Sequence, residues 1–215
     1  MPAESDTLRC MRIRALPALF GLALRAASAT AAFAVVSSLT APAHATLARE
    51  ITLRQLVTRA DIAVDGVPEE ATTVWEDIDG AGKRIVTYTR VHVEETVFGQ
   101  GTKDVWVRTL GGIVGDVGQT VEGEAELRVG ERAMFFLHAR GDGTHVVVDM
   151  AQGHFPIAVV TPPGEKAGLR VRLSPHLGGL VKQQTSLPLA RVLLRDKPLA
   201  DVTKLVRDER KAAGL

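Results

Sequence analysis

Cysteine is nearly absent from this sequence of 215 residues, whose one cysteine is Cys10. Cys10 lies in an N-terminal segment that the sequence predicts to be removed, so the rest of the chain has no thiol. This excludes disulfides, thiolate metal sites, a cysteine nucleophile and a lipid-modified cysteine after the cleavage site. Aromatic residues are also scarce, at 4%. The core must therefore be mainly aliphatic, and about 170 residues can supply one without covalent cross-links.

The chain also lacks a surplus of charge of one sign. It has 26 Lys+Arg and 25 Asp+Glu. Without the four arginines and two acids of residues 1–45, 22 basic and 23 acidic side chains remain. Such a nearly neutral surface of mixed sign has no electrostatic footprint for nucleic acid or anionic lipid. We therefore expect no nucleic-acid partner.

The first 45 residues have the three parts of a secretory signal. Four arginines form a long basic lead: Arg9, Arg12, Arg14 and Arg25. Residues 26–39 are uncharged and mostly apolar, and Ala43 and Ala45 form the A-x-A pattern that signal peptidase accepts. We expect cleavage after Ala45, an exported protein in the periplasm or medium, and no membrane span afterwards. A retained anchor is the alternative, but an apolar run of about 14 residues is shorter than the ~20 that span a bilayer. Translation from Met11 would shorten the lead.

Helical patterns occur near both ends of the remaining chain. Thr52 and Gln55 match a capping box, and the apolar residues that follow Thr52 recur at helical spacing. They predict a short amphipathic helix that ends near Asp61. Towards the C-terminus, residues 187–194 are apolar, and Pro198 is suited to the first turn of a further helix. Because that last helix carries mixed charges, we expect it to dock on the β domain or on a neighbour.

Strand patterns dominate the residues between these helices. Alternating or valine-rich segments predict strands at residues 62–67, 74–75, 84–98, 104–109, 132–138, 144–150, 152–160 and 168–173, with a weaker extended segment at 119–129. Pro68 is expected to end the first strand. Residues 77–82 have the composition of a hairpin turn, and residues 110–118 that of a glycine-rich loop. Since the strand at residues 132–138 contains the uninterrupted apolar run 133–137, it should be buried on both faces, with Phe135 and Leu137 in the core.

The number and spacing of these strands predict a mainly β fold, either a small OB-like β-barrel or a sandwich, with a short N-terminal helix and C-terminal helices. The long strand at residues 84–98 favours a curled barrel, because one bent strand can serve both halves. We expect a signal peptide at 1–45, a β-barrel domain at 46–175 and a helical extension at 176–215. One feature departs from the OB pattern: residues 110–118 are too rich in glycine for the helix that usually follows the third strand.

Several short patterns follow one another between residues 53 and 159. After the amphipathic helix come Asp61-Ile62-Ala63-Val64, Trp75-Glu76, Val93-Glu94-Glu95, Phe98-Gly99, Gly111-Gly112 with Gly115 and Gly118, Val129-Gly130-Glu131, and Gln152-Gly153 before Phe155. As an ordered set, they resemble a group of uncharacterised exported bacterial β-barrel domains of OB-like type. The resemblance implies secretion and a β-barrel, and it implies no activity. The C-terminal helices lie outside it.

Patterns that carry catalysis are weak in this chain. The five histidines after residue 45 form no H-E-x-x-H pair: His92, His138, His145, His154 and His176. Ser174-Pro175-His176 lacks a G-x-S-x-G elbow, and Asp77-x-Asp79-Gly80 lacks the later acids of a calcium loop. Residues 111–118 do not precede the helix and lysine of a phosphate-binding loop. We predict no catalytic residue, no metal and no cofactor, with His92 and His138 at solvent-facing strand positions.

The leading hypothesis is a non-catalytic exported domain that binds a protein or cell-envelope partner through loops carried on a rigid scaffold. The predicted binding surface consists of Trp106, Arg108, Gly111, Gly112, Gly115, Gly118, Gln152, Gly153 and His154. A secreted hydrolase with a site assembled only in three dimensions is an alternative, and three ionisable groups in one pocket would favour it. The other alternative is an OB-like module for oligosaccharide or nucleic acid, which has only Trp75, Tyr88 and Trp106 as stacking platforms.

Overall fold

The computed structural model of the protein describes residues 48–164 and 166–215. The predicted signal peptide, its cleavage site and Cys10 lie outside the described residues. Those that are described belong to one compact unit, Thr46–Leu215, which is mainly β as the sequence predicts. No helix in this part of the chain is long and apolar enough to cross a membrane.

Strands and helices follow in an order that keeps most of the helical structure at the two ends of the unit. The strands are β1 (Ala48–Arg49), β2 (Ile62–Ile78), β3 (Gly82–Phe98), β4 (Asp104–Leu110), β5 (Gly112–Val114), β6 (Val117–Gln119), β7 (Ala133–Ala139), β8 (His145–Val147), β9 (His154–Val160), β10 (Gly168–Val171) and β11 (Leu180–Val181). The helices are α1 (Leu53–Arg59), a 3-10 helix (Met150–Gly153), α2 (Ala190–Leu194) and α3 (Leu199–Ala212).

Helix α1 begins at the predicted capping box. The N–H of Gln55 donates to the Thr52 hydroxyl at 3.1 Å, and the N–H of Thr52 donates to the Gln55 side chain at 2.9 Å. Such a cap contributes about 1 kcal/mol. Leu53, Leu56 and Val57 are buried on one face of the helix. The predicted N-terminal helix is therefore confirmed.

Strands β2 and β3 form a long hairpin, whose turn lies within the predicted residues 77–82. The expectation that Pro68 ends the first strand is wrong. β2 pairs with β7 only as far as Gly66, so the missing N–H of Pro68 leaves no gap in that ladder. A register shift between Pro68 and Glu70 marks a bulge in the pairing with β3. A bulge bends the strand, which allows β2 to continue with a changed direction.

The strand pairings close a ring in the order β2, β3, β4, β8, β7 and back to β2. The contact between β4 and β8 is parallel and consists of Val107 opposite His145, whereas the other pairs in the ring are antiparallel. The first half of β7 also pairs with β9, which carries β10 on its outer side. The sheet therefore forks at β7.

Two hydrophobic clusters lie on opposite faces of β7. Phe135 and Leu137 belong to the cluster within the ring, while Met134 and Phe136 belong to the cluster beneath the helices. All four side chains are fully buried. Successive side chains of a strand point to opposite faces, so an uninterrupted apolar run is buried on both. The predicted burial of Phe135 and Leu137 is confirmed.

Helix α3 docks on this second cluster through arginines as well as apolar residues. Arg210 donates to the carbonyls of Val57 and Ala60, and its guanidinium lies 4.6 Å from the ring centroid of Phe98. Arg207 Nε donates to the carbonyl of Val97 at 2.9 Å. The mixed charges of the last helix therefore serve its attachment to α1 and β3.

The glycine-rich segment forms a small hairpin rather than an irregular loop. β5 pairs with β6 from Gly112 opposite Gln119 to Val114 opposite Val117. The extended segment predicted at residues 119–129 forms no strand after Gln119. Residues 120–132 are irregular, but Ala125 and Leu127 lie in the cluster within the ring.

Candidate functional site

A cavity of about 410 Å³ lies between the β5–β6 hairpin, residues 120–127 and the ends of β3 and β4. We call it the hairpin cavity. Thr87 and Thr109, which lie opposite each other on β3 and β4, form part of its wall. Leu110 and Leu127 add apolar surface. Its volume falls within the range of about 300–1,000 Å³ that is typical of ligand sites.

The hairpin is held on β3 by three hydrogen bonds. The N–H of Gly111 donates to the carbonyl of Ile85 at 2.8 Å, and the N–H of Ile85 donates to the Gln119 side chain at 3.1 Å. The hydroxyl of Thr87 donates to the carbonyl of Gly111 at 2.7 Å. These bonds tie the residue before β5 and the last residue of β6 to the same part of β3. The roof of the cavity is therefore fixed to its wall.

Glycine is required at the base of the hairpin for steric reasons. Gly112 has a φ of +128°, and a Cβ there would lie 2.5 Å from the Thr87 hydroxyl oxygen and 2.6 Å from Thr73 Cγ2. Gly115, in the turn, has a φ of +59° but no atom within 4 Å of a Cβ position. Gly112 thus allows close packing on the sheet. Gly115 only supplies a left-handed turn conformation.

Glu124 is a partly buried carboxyl group in the wall of the cavity. Burial raises its pKa above the ordinary value, because desolvation disfavours the charged form. Hydrogen bonds from the backbone N–H groups of Ala125, at 3.1 Å, and of Leu110 act in the opposite direction. The positive charge of Arg108 also favours ionisation. Desolvation is the largest of these effects, so Glu124 holds a proton more readily than an exposed glutamate does.

Glu126 lies in the same cavity but in a different environment. Arg128 Nε donates to it at 2.9 Å, and this hydrogen bond is the main reason why the pKa of Glu126 is lowered. His176 Nε2 lies 2.8 Å from the other carboxylate oxygen. The cavity therefore holds two carboxyl groups whose pKa values shift in opposite directions, together with an imidazole. Within the described residues, no lysine or arginine lines it.

Of the predicted binding residues, three glycines line the hairpin cavity: Gly111, Gly112 and Gly118. Gly115 lies in the turn of the hairpin, outside the cavity wall. The structure therefore brings this part of the predicted surface together, with Thr87 and Glu124 beside it.

Trp106 and Arg108 lie on β4, away from the cavity wall. Arg108 is buried and donates to both carboxylate oxygens of Glu76, at 2.8 and 3.2 Å, while the Tyr88 hydroxyl donates to Glu76 at 2.6 Å. This network engages Nε and Nη2 of Arg108 within the protein, and the side chain is buried. Trp106 is 38% exposed and lies opposite Arg90.

Gln152, Gly153 and His154 are buried rather than presented at the surface. The Gln152 side chain accepts from the N–H of Ile51 at 3.2 Å and donates to the carbonyl of Arg49 at 3.0 Å, so it anchors the start of the unit. A Cβ at Gly153 would lie 2.5 Å from the carbonyl oxygen of Val148. These two residues therefore have structural roles.

His154 stacks on Phe135 with ring centroids 5.3 Å apart. Burial lowers its pKa to about 4, so the imidazole is neutral at neutral pH. His176 lowers that pKa further and Glu126 raises it, which shows that these groups lie within electrostatic range. His154 does not line the hairpin cavity, but its charge state is coupled to two groups that do.

Glu124, Glu126 and His176 are the site residues that sequence reasoning missed. The pattern Glu122-Gly-Glu124-Ala-Glu126 places acids at alternate positions of an extended segment, so Glu124 and Glu126 could have been assigned to one face. Nothing local connects His176 with this segment. It reaches Glu126 because the chain after β10 returns past the hairpin cavity.

The remaining histidines are dispersed over the described structure. His92 and His138 lie at partly exposed strand positions, as predicted, where their imidazoles contact Asp104 at 3.3 Å and Asp61 at 2.8 Å. His145 lies on β8. The five histidines therefore do not form one cluster.

Glu69, His92 and Asp104 place potential metal-ligating atoms within 4.8 Å of one another on the surface of β2, β3 and β4. The guanidinium of Arg90 already contacts both carboxylates, at 2.9 Å from Glu69 and 3.3 Å from Asp104. Its positive charge occupies the position that would attract a cation. We therefore assign no metal site to this cluster.

Ser174 and His176 do not form a nucleophile and base pair. The hydroxyl of Ser174 accepts the backbone N–H of His176 at 3.3 Å. Ser174 lines a separate depression with Arg172 and Arg195, whereas the imidazole of His176 is directed to Glu126 in the hairpin cavity.

Comparison with known proteins adds no assignment to this geometry. No model of a protein family matches the chain, and no curated protein matches it. The function must therefore be argued from the hairpin cavity and its surroundings.

Proposed function

We propose that this protein is an exported, non-catalytic domain that binds a protein or cell-envelope partner at the hairpin cavity. The basic lead, the apolar run and the Ala43-His44-Ala45 site support export.

We further infer that the ring is an OB-like barrel. Five strands close it, and in chain order they are arranged first, second, third, fifth, fourth, with a parallel contact between the third and the fifth. The OB pattern normally places a helix after the third strand. Here the β5–β6 hairpin and residues 120–132 occupy that part of the chain, and Ala125 and Leu127 contribute the apolar side chains on the inside.

The hairpin cavity itself is the observation that carries the binding function. A fixed hairpin covers about 410 Å³ of space lined by both apolar and ionisable groups. Ile113 and Val117, on the two strands of the hairpin, are 72% and 49% exposed. Exposed apolar side chains beside a cavity are typical of a recognition surface.

A non-catalytic role fits the hydrogen bonds better than a hydrolase does. Glu126 is engaged by Arg128 and His176, so its lone pairs are not directed at a nucleophile. The Thr87 hydroxyl donates its proton to the carbonyl of Gly111. The structure does not pair this hydroxyl with a general base, which nucleophilic catalysis requires.

A secreted hydrolase is the second candidate, since Glu124, Glu126 and His176 are three ionisable groups in one cavity. Two carboxyl groups with opposite pKa shifts could act as acid and base. A screen with esterase, peptidase and glycosidase substrates tests this. We expect no turnover, and a turnover that Glu124→Gln abolishes without unfolding would establish the hydrolase instead.

The OB-like alternative that binds oligosaccharide or nucleic acid receives less support. Trp106 shares a face of the sheet with Tyr88, because its cross-strand partner Arg90 is two residues from Tyr88 on β3. Trp75 is three residues beyond Thr72, the partner of Tyr88, and therefore points to the opposite face. The three aromatic rings cannot form one stacking platform.

Retention of partners from a cell-envelope extract tests the binding function. Serine at both Ile113 and Val117 should reduce the retained partner about tenfold, since a lost apolar contact is worth about 1–2 kcal/mol. A control double variant places serine at Val159 and Val192, which are 71% and 62% exposed and lie outside the hairpin. Equal loss in both double variants, or none in the hairpin variant, would rule out the hairpin as the binding surface.

A further inference from the structure

The hairpin cavity has a chemical character that selects the group it accepts. We propose that it receives a basic side chain, a lysine or an arginine, from a segment of the partner protein. This inference rests on the proposed function and names the chemistry of its site. Three features carry it: an uncompensated carboxyl group, apolar walls and an exposed apolar rim.

Glu124 is the uncompensated group. Its carboxylate accepts backbone N–H groups from Ala125 and Leu110, and no ion pair to it occurs among the described residues. The charge of Arg108 reaches it only from outside the cavity wall, and Arg108 is already paired with Glu76. A partly buried carboxylate without a cation gains most from one, because the new ion pair offsets its desolvation.

Glu126 adds a second negative charge to the same space. Arg128 and His176 share its two oxygens, so it contributes to the local potential without being free for a bidentate contact. Within the described residues, the cavity lining contains two carboxyl groups and no lysine or arginine, and only Glu126 is paired with a guanidinium, that of Arg128 beside the lining. That balance attracts a cation and repels phosphate, sulfate or carboxylate ligands.

The walls match the stem of a basic side chain. Leu110, Val121 and Leu127 line the cavity beside the carboxyl groups. Lysine and arginine place a methylene stem along apolar surface while their charged head meets a polar group. An aromatic platform for a sugar is typically a tryptophan, tyrosine or phenylalanine, and none of these lines the cavity in the described part of the chain.

The rim distinguishes a side chain on a protein from a free amine. Ile113 and Val117 are largely exposed on the hairpin that covers the cavity. A partner segment with apolar residues next to its basic one would cover both, whereas a small amine would leave them in water. Because burial of these side chains is favourable, the peptide should bind at least about tenfold more tightly than the amine.

Calorimetric titration of the purified protein with four probes tests the inference. The probes are a capped five-residue peptide with a central lysine between leucines, the same peptide with arginine, the same peptide with the uncharged isostere norleucine, and free butylamine. We expect both basic peptides to bind and the norleucine peptide and butylamine to bind at least about tenfold more weakly.

Two isosteric variants locate the charge that is recognised. Glu124→Gln should weaken binding of the lysine peptide by about 10-fold to 100-fold, as expected for a charge-assisted hydrogen bond. Glu122→Gln removes an exposed acid of the same segment outside the cavity wall and should leave the affinity unchanged. Circular dichroism establishes that both variants are folded.

The results separate this inference from the proposed function. The proposal that the cavity recognises a basic side chain is wrong if the norleucine peptide binds as well as the lysine peptide. It is also wrong if the Glu124→Gln variant binds both peptides like the unmodified protein. In either case the cavity remains a binding site. If butylamine binds as tightly as the peptides, the ligand is a free amine. If no probe binds although the hairpin double variant loses the envelope partner, the inference falls and the proposed function stands. If no probe binds and the hairpin double variant retains the envelope partner as the unmodified protein does, the inference and the proposed function are both overturned.

Discussion

The helix side and the hairpin side of the molecule are closed in different ways. Helices α1, α2 and α3 cover the outer face of β7, with Leu56, Leu194 and Val206 fully buried among them. On the hairpin side, two three-residue strands are held by hydrogen bonds and a steric fit over a cavity of about 410 Å³. One side is packed around fully buried apolar side chains, while the other retains a cavity with ionisable groups.

If the hairpin cavity binds the partner as proposed, this difference separates stability from recognition. Buried apolar surface contributes about 25 cal/mol per Å², so the helix side supplies much of the free energy that holds the unit folded. The hairpin side buries less and leaves Ile113 exposed. Substitutions on the helix side should therefore change stability, and those at the hairpin cavity should change binding.

The largest expected effect is that of Phe136→Ala on the helix side. Phe136 is fully buried and contacts the rings of Phe98 and Phe155, so its truncation should lower the free energy of unfolding by about 3–5 kcal/mol. Ile113→Ala, at the exposed hairpin position, should cost less than about 0.5 kcal/mol. Urea unfolding measures both. Similar losses in the two variants would remove the contrast between the sides.

The second prediction sharpens the contrast within the hairpin. Gly112→Val should destabilise the protein by about 2–4 kcal/mol, because a side chain there meets Thr87 and Thr73 in a backbone conformation that L-residues disfavour. Gly115→Asn should be nearly neutral, since asparagine tolerates the left-handed turn and the site is open. Thermal unfolding followed by circular dichroism distinguishes them. A neutral Gly112→Val would show that the hairpin is not packed on the sheet.

The sequence predicts best where local patterns and burial agree. The capping box at Thr52 and Gln55 depends only on residues within one helical turn. The apolar run around Phe135 leaves the solvent only if both faces of its strand are buried. Pro68 misleads because its effect depends on whether a neighbouring strand needs its N–H. That neighbour, β7, is more than sixty residues away in the chain and stops pairing at Gly66.

The sequence predicts only part of the candidate site, because the rest depends on contacts between residues that are far apart in the chain. Gly111 and Gly112 are predicted by the sequence to belong to the binding surface, and they do line the cavity, where their backbone packs closely on neighbouring residues. The sequence predicts Gln152 in the binding surface, but its side chain forms hydrogen bonds with the backbone of Arg49 and Ile51, about a hundred positions earlier in the chain. Such long-range hydrogen bonds leave no local signal.

The third prediction concerns acid stability. The folded protein keeps His154 neutral down to about pH 4, whereas an unfolded histidine binds a proton near pH 6.5. Between these values the unfolded state binds more protons, so stability falls as the pH falls, by about 2–3 kcal/mol from this group. His154→Phe, which keeps the stacking on Phe135, should remove this part of the acid sensitivity. His138→Gln, at an exposed position, should retain it when unfolding is measured across that range.

The smallest expected effect comes from Glu124. Since burial raises its pKa, ionisation costs the folded state some stability as the pH rises above the range of an ordinary glutamate. Glu124→Gln should therefore be slightly more stable than the unmodified protein at neutral pH and no more stable in acid. Glu122→Gln should change neither. A Glu124→Gln variant that is less stable at neutral pH would show that the carboxylate is already compensated within the protein.

Nuclear magnetic resonance shift mapping with the capped lysine peptide tests the central claim most directly, because it reports both sides of the molecule at once. We predict that the shifted signals cluster at residues 110–127 and at His176, that signals of α1 and α3 do not move, and that the pKa of the Glu124 carboxyl falls when the peptide binds. Shifts that cluster on the helix side, or a Glu124 pKa that the peptide leaves unchanged, would contradict the assignment of recognition to the hairpin cavity.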